Sequence, residues 1–375
     1  MDNDTKSGMK ILENIRPDRL QKLFHRLVDI YSPSGKEEDV LDYLYAYLRK
    51  RNFPVKKQEV DDNRYNLVLS PPEMDIQLFL LGHLDTVPAY DLDHYQAEQR
   101  GDIVSGLGTA DMKGGCAAMI EAFVTLWEEG HHRVPAALAL VVGEEEDGDG
   151  ARALLRDYRS NWAVIGEPTD LTPCLSTYGY MELKVSAKGK RMHASLSKHV
   201  RNPIESMLQL ILRLTRHMDQ KRPDLVYNIR DLWSSQAGFA VPEFCEGSFD
   251  IHMKPSEKIP EIMGELEDLS FRENIENDSI DVGLRFVTVD PGFELPEKGP
   301  VVASLKESFK RQSLPWKTAS FISHSDANQL WQAGVRPIVF GPGQLEKAHT
   351  PDESVSMTQV CRAAEMYYEI MKSAL

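Results

Sequence analysis

The sequence predicts an α/β protein whose main domain is interrupted by a smaller α+β domain. The chain has 375 residues, which is more than a single hydrophobic core usually supports. Short apolar runs alternate with helical patterns in its first half, as in α/β folds. From about residue 178 to about residue 290, longer stretches of alternating polar and apolar residues replace that pattern. We therefore expect a main domain of residues 1–177 and 291–375 and an inserted domain of residues 178–290.

The expected strands of the main domain are short apolar runs that end in glycine, proline or acidic residues. They cover residues 65–69, 76–81, 136–142, 162–165 and 336–340. A capping-box pattern at Ser34 and Glu37 predicts the start of one helix, and an apolar face within residues 112–129 predicts another. Because strands and helices alternate, we expect a buried sheet covered by helices.

The inserted segment predicts a strand, a helix, a strand, a helix and a strand in that order. Residues 181–187, 248–252 and 280–289 alternate between polar and apolar side chains, as half-buried strands do. The first helix would carry an apolar face formed by Ile204, Met207, Leu208, Ile211 and Leu214. Three prolines within residues 291–300 mark the return to the main domain.

Charge and composition exclude some classes of partner. The chain carries 58 acidic and 43 basic residues, a formal net charge of -15, which repels nucleic acid and anionic membrane surfaces. Residues 1–10 lack the apolar core of a signal peptide, and no apolar run approaches the roughly 18 residues of a membrane span. We therefore expect a cytoplasmic protein that binds neither nucleic acid nor membrane. The scattered cysteines fit a reducing compartment, since they show neither zinc-knuckle nor disulfide spacing: Cys116, Cys174, Cys245 and Cys361.

Histidine and acidic residues follow several expected strands, at the edge of the sheet where α/β proteins bind ligands. His83 and Asp85 follow residues 76–81. In this arrangement the imidazole can bind a metal through one nitrogen while the carboxylate accepts from the other, although so short a motif is usually only a turn. Asp111 lies between a glycine-rich loop and the expected helix, where it could cap the helix, the commoner role, or bridge two cations. The glycine spacing matches neither a P-loop nor a dinucleotide fingerprint.

Acidic side chains end two more strands, and a histidine follows the last. The run from Glu144 to Asp147 would usually be a solvated loop. Like charges at the end of a buried strand repel one another, however, and a bound dication would relieve that repulsion. Glu167 follows residues 162–165, and His349, in a loop where a histidine is more often no ligand, lies beyond residues 336–340. Together, nitrogen and carboxylate groups without thiolates favour zinc, with cobalt or manganese as substitutes.

In this order, the motifs resemble the metallopeptidase family of succinyl-diaminopimelate desuccinylase, acetylornithine deacetylase, aminoacylase and glutamate carboxypeptidase. The resemblance covers nearly the whole chain and is carried by residues 83–88, 111–115, 145–146, 166–169 and 349–353. It implies a zinc-exopeptidase-like catalytic domain, with a mixed sheet flanked by helices. It also implies that the inserted α+β domain is ferredoxin-like and serves as a lid and dimerisation domain.

The resemblance further implies a centre of two zinc ions held by five side chains. Asp111 would bridge both ions, His83 and Glu167 would complete one site, and Glu146 and His349 would complete the other.

Three more residues have implied catalytic roles. Asp85 would orient His83, and Glu145 would be the general base. The register of the acidic run is anchored on Gly148, because the ligand glutamate of the family lies two residues before that glycine. In dimeric relatives, the histidine that His193 matches reaches into the partner's active site and stabilises the oxyanion. His193 therefore implies either a homodimer formed through the lid or a hinged lid. The alternative for His193 is an exposed loop histidine.

The sequence departs from the family pattern at two positions of the lid. Phe239 stands where relatives often have asparagine, and His252 stands where they have arginine. Phenylalanine cannot donate a hydrogen bond, and histidine binds a carboxylate less firmly than a bidentate arginine does. The departures therefore concern substrate recognition and leave the catalytic groups intact.

The activity that the resemblance implies is metal-dependent hydrolysis of the amide bond of an N-acyl amino acid, in amino-acid metabolism. The alternative is an exopeptidase of dipeptidase, tripeptidase or glutamate-carboxypeptidase type that uses the same site. A catalytically silent metal- or peptide-binding relative would have lost the base or a ligand, and every one of those residues is present.

Overall fold

The computed structural model describes residues 14–71, 74–236, 238–276 and 281–373, and these form two compact units. The larger unit contains the described residues up to Ser176, Leu295–Phe321 and the described residues from Ser325 onward. The smaller unit contains Thr177–Glu294 and Ile322–His324. The start of the chain, residues 1–10, for which no signal peptide is expected, lies outside the described residues.

Helices and strands alternate along the chain. The helices are α1 (Pro17–Asp29), α2 (Glu38–Arg49), α3 (Gly114–Glu128), α4 (Asp149–Asp157), α5 (Pro203–Lys221), α6 (Ile259–Glu276), α7 (Pro300–Arg311), α8 (Asp326–Gln332) and α9 (Met357–Ser373). The strands are β1 (Val55–Glu59), β2 (Tyr65–Leu69), β3 (Leu78–His83), β4 (Glu98–Arg100), β5 (Ile103–Ser105), β6 (Ala136–Val141), β7 (Trp162–Ile165), β8 (Cys174–Thr177), β9 (Gly179–Lys188), β10 (Met192–His193), β11 (Val226–Ser234), β12 (Ala240–Val241), β13 (Phe244–Met253), β14 (Asp281–Asp290), β15 (Phe293–Glu294), β16 (Ala319–Phe321), β17 (Arg336–Val339) and β18 (Ser354–Ser356).

The larger unit is built on a mixed sheet, as predicted. The strand order runs β1-β2-β6-β3-β7-β17-β8, and β16 pairs with β8. Strands β6, β3, β7 and β17 are parallel, whereas the pairs β1–β2, β2–β6 and β17–β8 are antiparallel. Every residue of β3, β6 and β7 is buried, which explains why these strands are continuous apolar runs in the sequence.

The register of the parallel strands brings their carboxyl ends together. His83 at the end of β3 lies beside Val141 at the end of β6, and Leu81 lies beside Ile165 at the end of β7. The loops that follow these three strands therefore leave the sheet at one edge. That edge carries the histidine and acidic residues that the sequence places after the strands.

Two predictions about helix starts are wrong. Helix α2 begins at Glu38 without a side-chain cap, because the Ser34 hydroxyl instead donates to the carboxylate of Asp85 at 2.8 Å. Helix α3 begins at Gly114 rather than at residue 112, because Thr109–Lys113 form a separate irregular turn. Asp111 has extended backbone angles within that turn, so it does not cap α3. Its side chain is thus available for another role.

The smaller unit has a ferredoxin-like fold, as predicted. Its elements follow in the order β9, α5, β11, β13, α6, β14, and the antiparallel sheet has the order β11-β13-β9-β14. The buried core includes Met181, Leu183, Leu210, Leu214 and Phe249. Strand β11 is absent from the predicted pattern because it is an edge strand whose residues are mostly exposed. Residue 280, the expected start of the last strand, lies outside the described residues.

Among the residues that the structure describes, no helix is both long enough and apolar enough to cross a membrane.

Candidate metal centre

The first group of possible metal ligands lies where β3, the Thr109–Lys113 turn and the loop after β7 meet. It contains His83, Asp111 and Glu167, all of them buried, with ligand atoms within 4.8 Å of one another. His83 Nε2 is 3.3 Å from Asp111 Oδ1 and 3.8 Å from Glu167 Oε1. The Glu167 oxygen is buried without a hydrogen-bond partner among the described residues. One imidazole nitrogen and two carboxylates thus face a common point.

A second group shares Asp111 with the first. It contains Asp111, Glu145 and His349, and their ligand atoms also lie within 4.8 Å of one another. His349 Nε2 is 3.4 Å from Asp111 Oδ2 and 2.9 Å from Glu145 Oε2. Because Oδ1 of Asp111 faces His83 and Oδ2 faces His349, a single carboxylate joins the two groups.

The acidic run after β6 contributes two side chains to this region. The side chain of Glu144 is 13% exposed, with Oε2 3.8 Å from His83 Nε2, and that of Glu145 is 7% exposed. Glu146 is exposed and belongs to neither group of ligand atoms in the described part of the chain. The structure therefore brings the first two glutamates of the run to the site, whereas the sequence register favours the second and the third.

Asp85 is fully buried and organises the surrounding backbone. Its Oδ2 accepts hydrogen bonds from the Ser34 hydroxyl at 2.8 Å and from the Glu145 backbone N–H at 3.0 Å. The other carboxylate oxygen is 3.6 Å from His83 Nδ1, while the Asp85 carbonyl oxygen is closer, at 3.0 Å. When His83 presents Nε2 to a metal, its Nδ1–H donates to that carbonyl. Asp85 thus orients His83 through its backbone and fixes the start of the acidic run through its carboxylate.

Burial and mutual repulsion strongly perturb the charges at this site. Burial raises the pKa of Glu144, Glu145 and Glu167, and the Asp111 carboxylate raises each pKa further. The pKa of His349 rises to about 11, because it forms hydrogen bonds with Asp111 and Glu145. The pKa of Asp111 is lowered, despite its burial, by hydrogen bonds with His349 and His83. Without a bound cation, the two imidazolium groups of His83 and His349 are the positive charges that stabilise these carboxylates.

The donor set fits two divalent cations. A bound dication relieves repulsion among buried carboxylates, and the unpartnered Glu167 oxygen supplies a lone pair for one. Each group offers one imidazole nitrogen and carboxylate oxygens, with Asp111 common to both. Nitrogen and oxygen ligands without thiolate suit zinc. Of the five predicted ligands, the structure brings together His83, Asp111, Glu167 and His349, and Glu145 lies where Glu146 was expected.

Glu353 is a buried carboxylate whose role the sequence analysis missed. It accepts hydrogen bonds from the backbone N–H groups of Gly108 at 2.9 Å, Ala110 at 2.8 Å and Asp111 at 3.0 Å. These contacts hold the irregular turn that presents Asp111. Burial raises the pKa of Glu353 to about 7. The sequence does place Glu353 four residues after His349, as the last residue of the 349–353 motif.

The lid residues singled out in the sequence lie in the smaller unit. His193 is exposed, and its Nδ1 is 2.8 Å from the Ser195 hydroxyl. The Phe239 side chain is 90% exposed. His252 has a buried Nδ1 without a hydrogen-bond partner in the described chain, and its ring lies 5.3 Å from that of Tyr180. Burial lowers the pKa of His252, which favours its neutral form.

Two curated relatives match nearly the whole chain. A probable carboxypeptidase of Talaromyces marneffei is 26% identical over 397 residues, covering 95% of this chain and 86% of the relative. A succinyl-diaminopimelate desuccinylase of Corynebacterium glutamicum is 28% identical over 361 residues, covering 91% and 93%.

Two solved structures share the fold. A tripeptidase from Staphylococcus aureus aligns with a TM-score of 0.79 at 22% identity, covering 96% of this chain and 99% of that one. A dinuclear metal-binding peptidase from Bacillus subtilis aligns with a TM-score of 0.69 at 13% identity, covering 95% and 97%. The sequence profile described as Peptidase family M20/M25/M40 matches residues 79–373. The chain belongs to this family of metal-dependent hydrolytic enzymes.

Proposed function

We propose that this enzyme hydrolyses the amide bond of an N-acyl amino acid at a two-metal centre. The observation that carries the proposal is the pair of ligand groups joined by Asp111, each with one histidine and one further glutamate. The ions proposed are zinc, with cobalt or manganese as substitutes. When bound, such a pair lowers the pKa of a nucleophilic water and polarises the amide carbonyl.

We assign the roles within the acidic run one residue earlier than the sequence register does. Glu145 is the proposed ligand beside His349, because its carboxylate lies 2.9 Å from His349 Nε2. Glu144 is the proposed general base, because its side chain is nearly buried beside His83 and is not a member of either ligand group. Glu146 has neither proposed role, since it is exposed.

The protein groups divide the proton transfers of the reaction as follows. Glu144 accepts a proton from the attacking water and passes it to the nitrogen of the leaving amine. Burial raises the pKa of Glu144, which makes its carboxylate a stronger base than an exposed glutamate. His193 is the proposed donor to the oxyanion of the tetrahedral intermediate, a role that rests on the resemblance of its motif.

The substrate class is proposed from the family and its relatives. An N-acyl amino acid is supported by the similarity to a desuccinylase, whose substrate carries an acyl group on an amine. The second candidate is a short peptide cleaved by exopeptidase action, which the similarity to a probable carboxypeptidase and to a tripeptidase structure supports. The same metal centre serves both reactions, because both cleave a secondary amide.

The direct test is metal analysis combined with a hydrolysis screen. The purified protein should contain about two equivalents of zinc per chain. Removal of the metal with EDTA should abolish hydrolysis of N-acyl amino acids and of di- and tripeptides, and added zinc or cobalt should restore it. Hydrolysis that persists in a protein shown to be free of metal would overturn the proposal.

We further propose that the protein is a cytoplasmic homodimer formed through the smaller unit. Strand β11 is a sheet edge with four exposed apolar side chains, Val226, Ile229, Leu232 and Trp233. On α5, Leu208 and Leu212 lie one turn apart and are 46% and 52% exposed. A sheet edge and a helix that both carry exposed apolar side chains favour association with a second copy. The four free cysteines fit a reducing compartment.

The oligomeric state can be tested without reference to activity. Light scattering after size exclusion should give twice the mass of one 42.5 kDa chain. Leu212→Glu should shift the mass towards the monomer, because it places a charge within the apolar surface. Ile103→Glu changes an exposed apolar side chain of the larger unit, away from the proposed interface, and should leave the dimer intact. A monomeric wild-type protein at micromolar concentration would contradict the dimer.

A further inference from the structure

A cavity of about 360 Å³ lies within the larger unit, next to the candidate metal centre. Its wall is formed by most of the loop 89–96, by Glu98 and residues 105–107, and by Thr350, Pro351 and Glu353. Thr350 directly follows the ligand His349. The Tyr90 hydroxyl in this wall donates to the His349 carbonyl oxygen at 2.8 Å. The cavity is therefore connected to the metal centre through a short segment of chain.

The charged groups of the wall are nearly all acidic. Four carboxylates line the cavity, whereas its lining contains no lysine or arginine and a single histidine, His94. Two of the carboxylates already have partners: Glu353 accepts three backbone N–H groups, and Asp91 accepts from the Asp93 N–H and lies 2.8 Å from His94 Nδ1. Hydrogen bonds within the protein thus stabilise the negative charge of these two carboxylates.

Asp93 and Glu98 are the two carboxylates of the wall that remain available. The Asp93 side chain is exposed and makes no hydrogen bond or ion pair within the described residues. The Glu98 carboxylate forms an ion pair with Arg100 alone in that part of the chain, at 3.2 Å, and the Arg100 side chain is 89% exposed. A surface pair of this kind contributes little and exchanges readily with another cation.

Aromatic rings complete the wall. The Tyr90 side chain is 69% exposed, and Tyr95 packs against Tyr31 with ring centroids 5.1 Å apart. Aromatic faces attract ammonium groups, and nearby carboxylates strengthen that attraction. The size, charge and lining of the cavity thus fit an organic ammonium group better than an anion or a neutral apolar group.

We propose that this cavity binds a cationic amino group of the substrate, so that the enzyme prefers substrates carrying a free ammonium a few bonds from the scissile amide. This inference rests on the proposed amide hydrolysis and narrows its substrate class. The ammonium could belong to a basic side chain or to the N-terminus of a peptide. Both present the same chemistry to Asp93 and Glu98.

Matched substrates separate these two sources. The first pair is N-acetyl-lysine and N-acetyl-norleucine, which differ in the side-chain ammonium. The second pair is trialanine and N-acetyl-trialanine, which differ in the N-terminal ammonium. We expect kcat/KM to be about fivefold higher for the cationic member of at least one pair, as for a partly solvated ion pair. Added salt should reduce that preference.

Two double variants assign the preference to the cavity. Asp93→Asn with Glu98→Gln removes both available charges and should abolish the preference, so that kcat/KM becomes similar for the cationic and the neutral member of the pair. The control, Asp62→Asn with Glu59→Gln, removes two exposed charges elsewhere on the larger unit and should retain the preference. This control separates a local contact from the general attraction of an acidic protein for cations.

The outcomes distinguish this inference from the proposed function. Hydrolysis of all four compounds without a preference, or a preference that survives the Asp93 and Glu98 changes, overturns the cavity proposal alone. Failure to hydrolyse any N-acyl amino acid or peptide, with metal bound, overturns the proposed function and the cavity proposal with it. Thermal melting of both double variants checks that they remain folded.

Discussion

The two units place their ionisable residues in opposite environments. In the larger unit, His83, Asp111 and Glu167 are buried together, and their charges can be stabilised there only by one another or by a cation. In the smaller unit, Arg230 joins Asp250 and Glu182 at 2.9 and 2.7 Å in a network that balances much of its own charge. Buried charge without a balancing partner therefore identifies the site, whereas the mere presence of histidine or acidic residues does not.

The same contrast explains why His193 has a weaker structural basis than the ligands. His193 is exposed, and its contact with Ser195 is local. The ligands, by contrast, come from segments far apart in the sequence that only the fold brings together. Variants that alter buried charge in the larger unit should therefore affect activity most.

The largest effect is expected for Glu144→Gln. Glutamine preserves the shape of the side chain but cannot accept the proton, so kcat should fall by about 10²–10⁴-fold while the metal content is unchanged. Glu146→Gln changes the exposed neighbour and should leave kcat within about twofold of wild type. Steady-state kinetics and metal analysis of both proteins make the comparison. If Glu144→Gln has near-normal turnover and Glu146→Gln is inactive, Glu145 is instead the base and Glu146 the ligand.

A smaller effect is expected for Glu353→Gln. One carboxylate oxygen of Glu353 accepts from Ala110 and Asp111 and the other from Gly108, so an amide would turn an N–H towards one of these donors. We expect a loss of about 1–3 kcal/mol in the free energy of unfolding, and weaker metal binding because the turn presents Asp111. Asp352→Asn alters the exposed neighbour and serves as the control. Unchanged stability and metal affinity would show that Glu353 does not hold the turn.

The smallest effect concerns His324 in the smaller unit and should appear only at acidic pH. Its ring stacks on Tyr180 at 4.0 Å, and burial with the neighbouring His252 lowers its pKa to about 3, below the value near 6.5 of an unfolded chain. The folded state therefore binds this proton less readily than the unfolded state does. Its contribution to stability is complete above pH 6.5 and is lost as the pH falls towards 3.

His324→Phe keeps a ring for the stack and removes the titration. Between pH 7.5 and pH 5.0, the melting temperature should fall less for this variant than for wild type. The difference corresponds to at most about 2 kcal/mol in the free energy of unfolding. His199→Phe changes an exposed histidine and should keep the wild-type dependence. Equal pH dependence in wild type and His324→Phe would show that His324 titrates normally.

Sequence patterns predicted those parts of the fold in which burial is uniform. The runs 65–69 and 162–165 match β2 and β7, because strands buried on both faces are largely apolar. Strand β11 was not predicted, because an exposed edge strand lacks the alternation of buried and exposed residues. The start of α3 was misplaced because Asp111 and Met112 have non-helical angles, which no residue pattern reveals.

The sequence predicted four of the ligand residues, but it did not predict which glutamates of the acidic run face the site. His83, Asp111, Glu167 and His349 have no neighbour of the same residue type, so their positions are unambiguous in the sequence. Glu144, Glu145 and Glu146 are chemically identical neighbours, and only the backbone after β6 decides which of them turn inward. The hydrogen bond from the Glu145 N–H to Asp85 fixes that direction, and it joins residues 60 positions apart.

The proposed activity depends on a two-metal centre that Asp111 bridges, with Glu145 as a ligand. It is tested most directly by zinc content, measured by mass spectrometry, in wild type, Glu145→Gln and Glu146→Gln after equilibration with limiting free zinc. We expect about two equivalents of zinc in wild type and in Glu146→Gln, and about one in Glu145→Gln. Two equivalents in Glu145→Gln with a loss in Glu146→Gln, or no zinc in wild type, would contradict it.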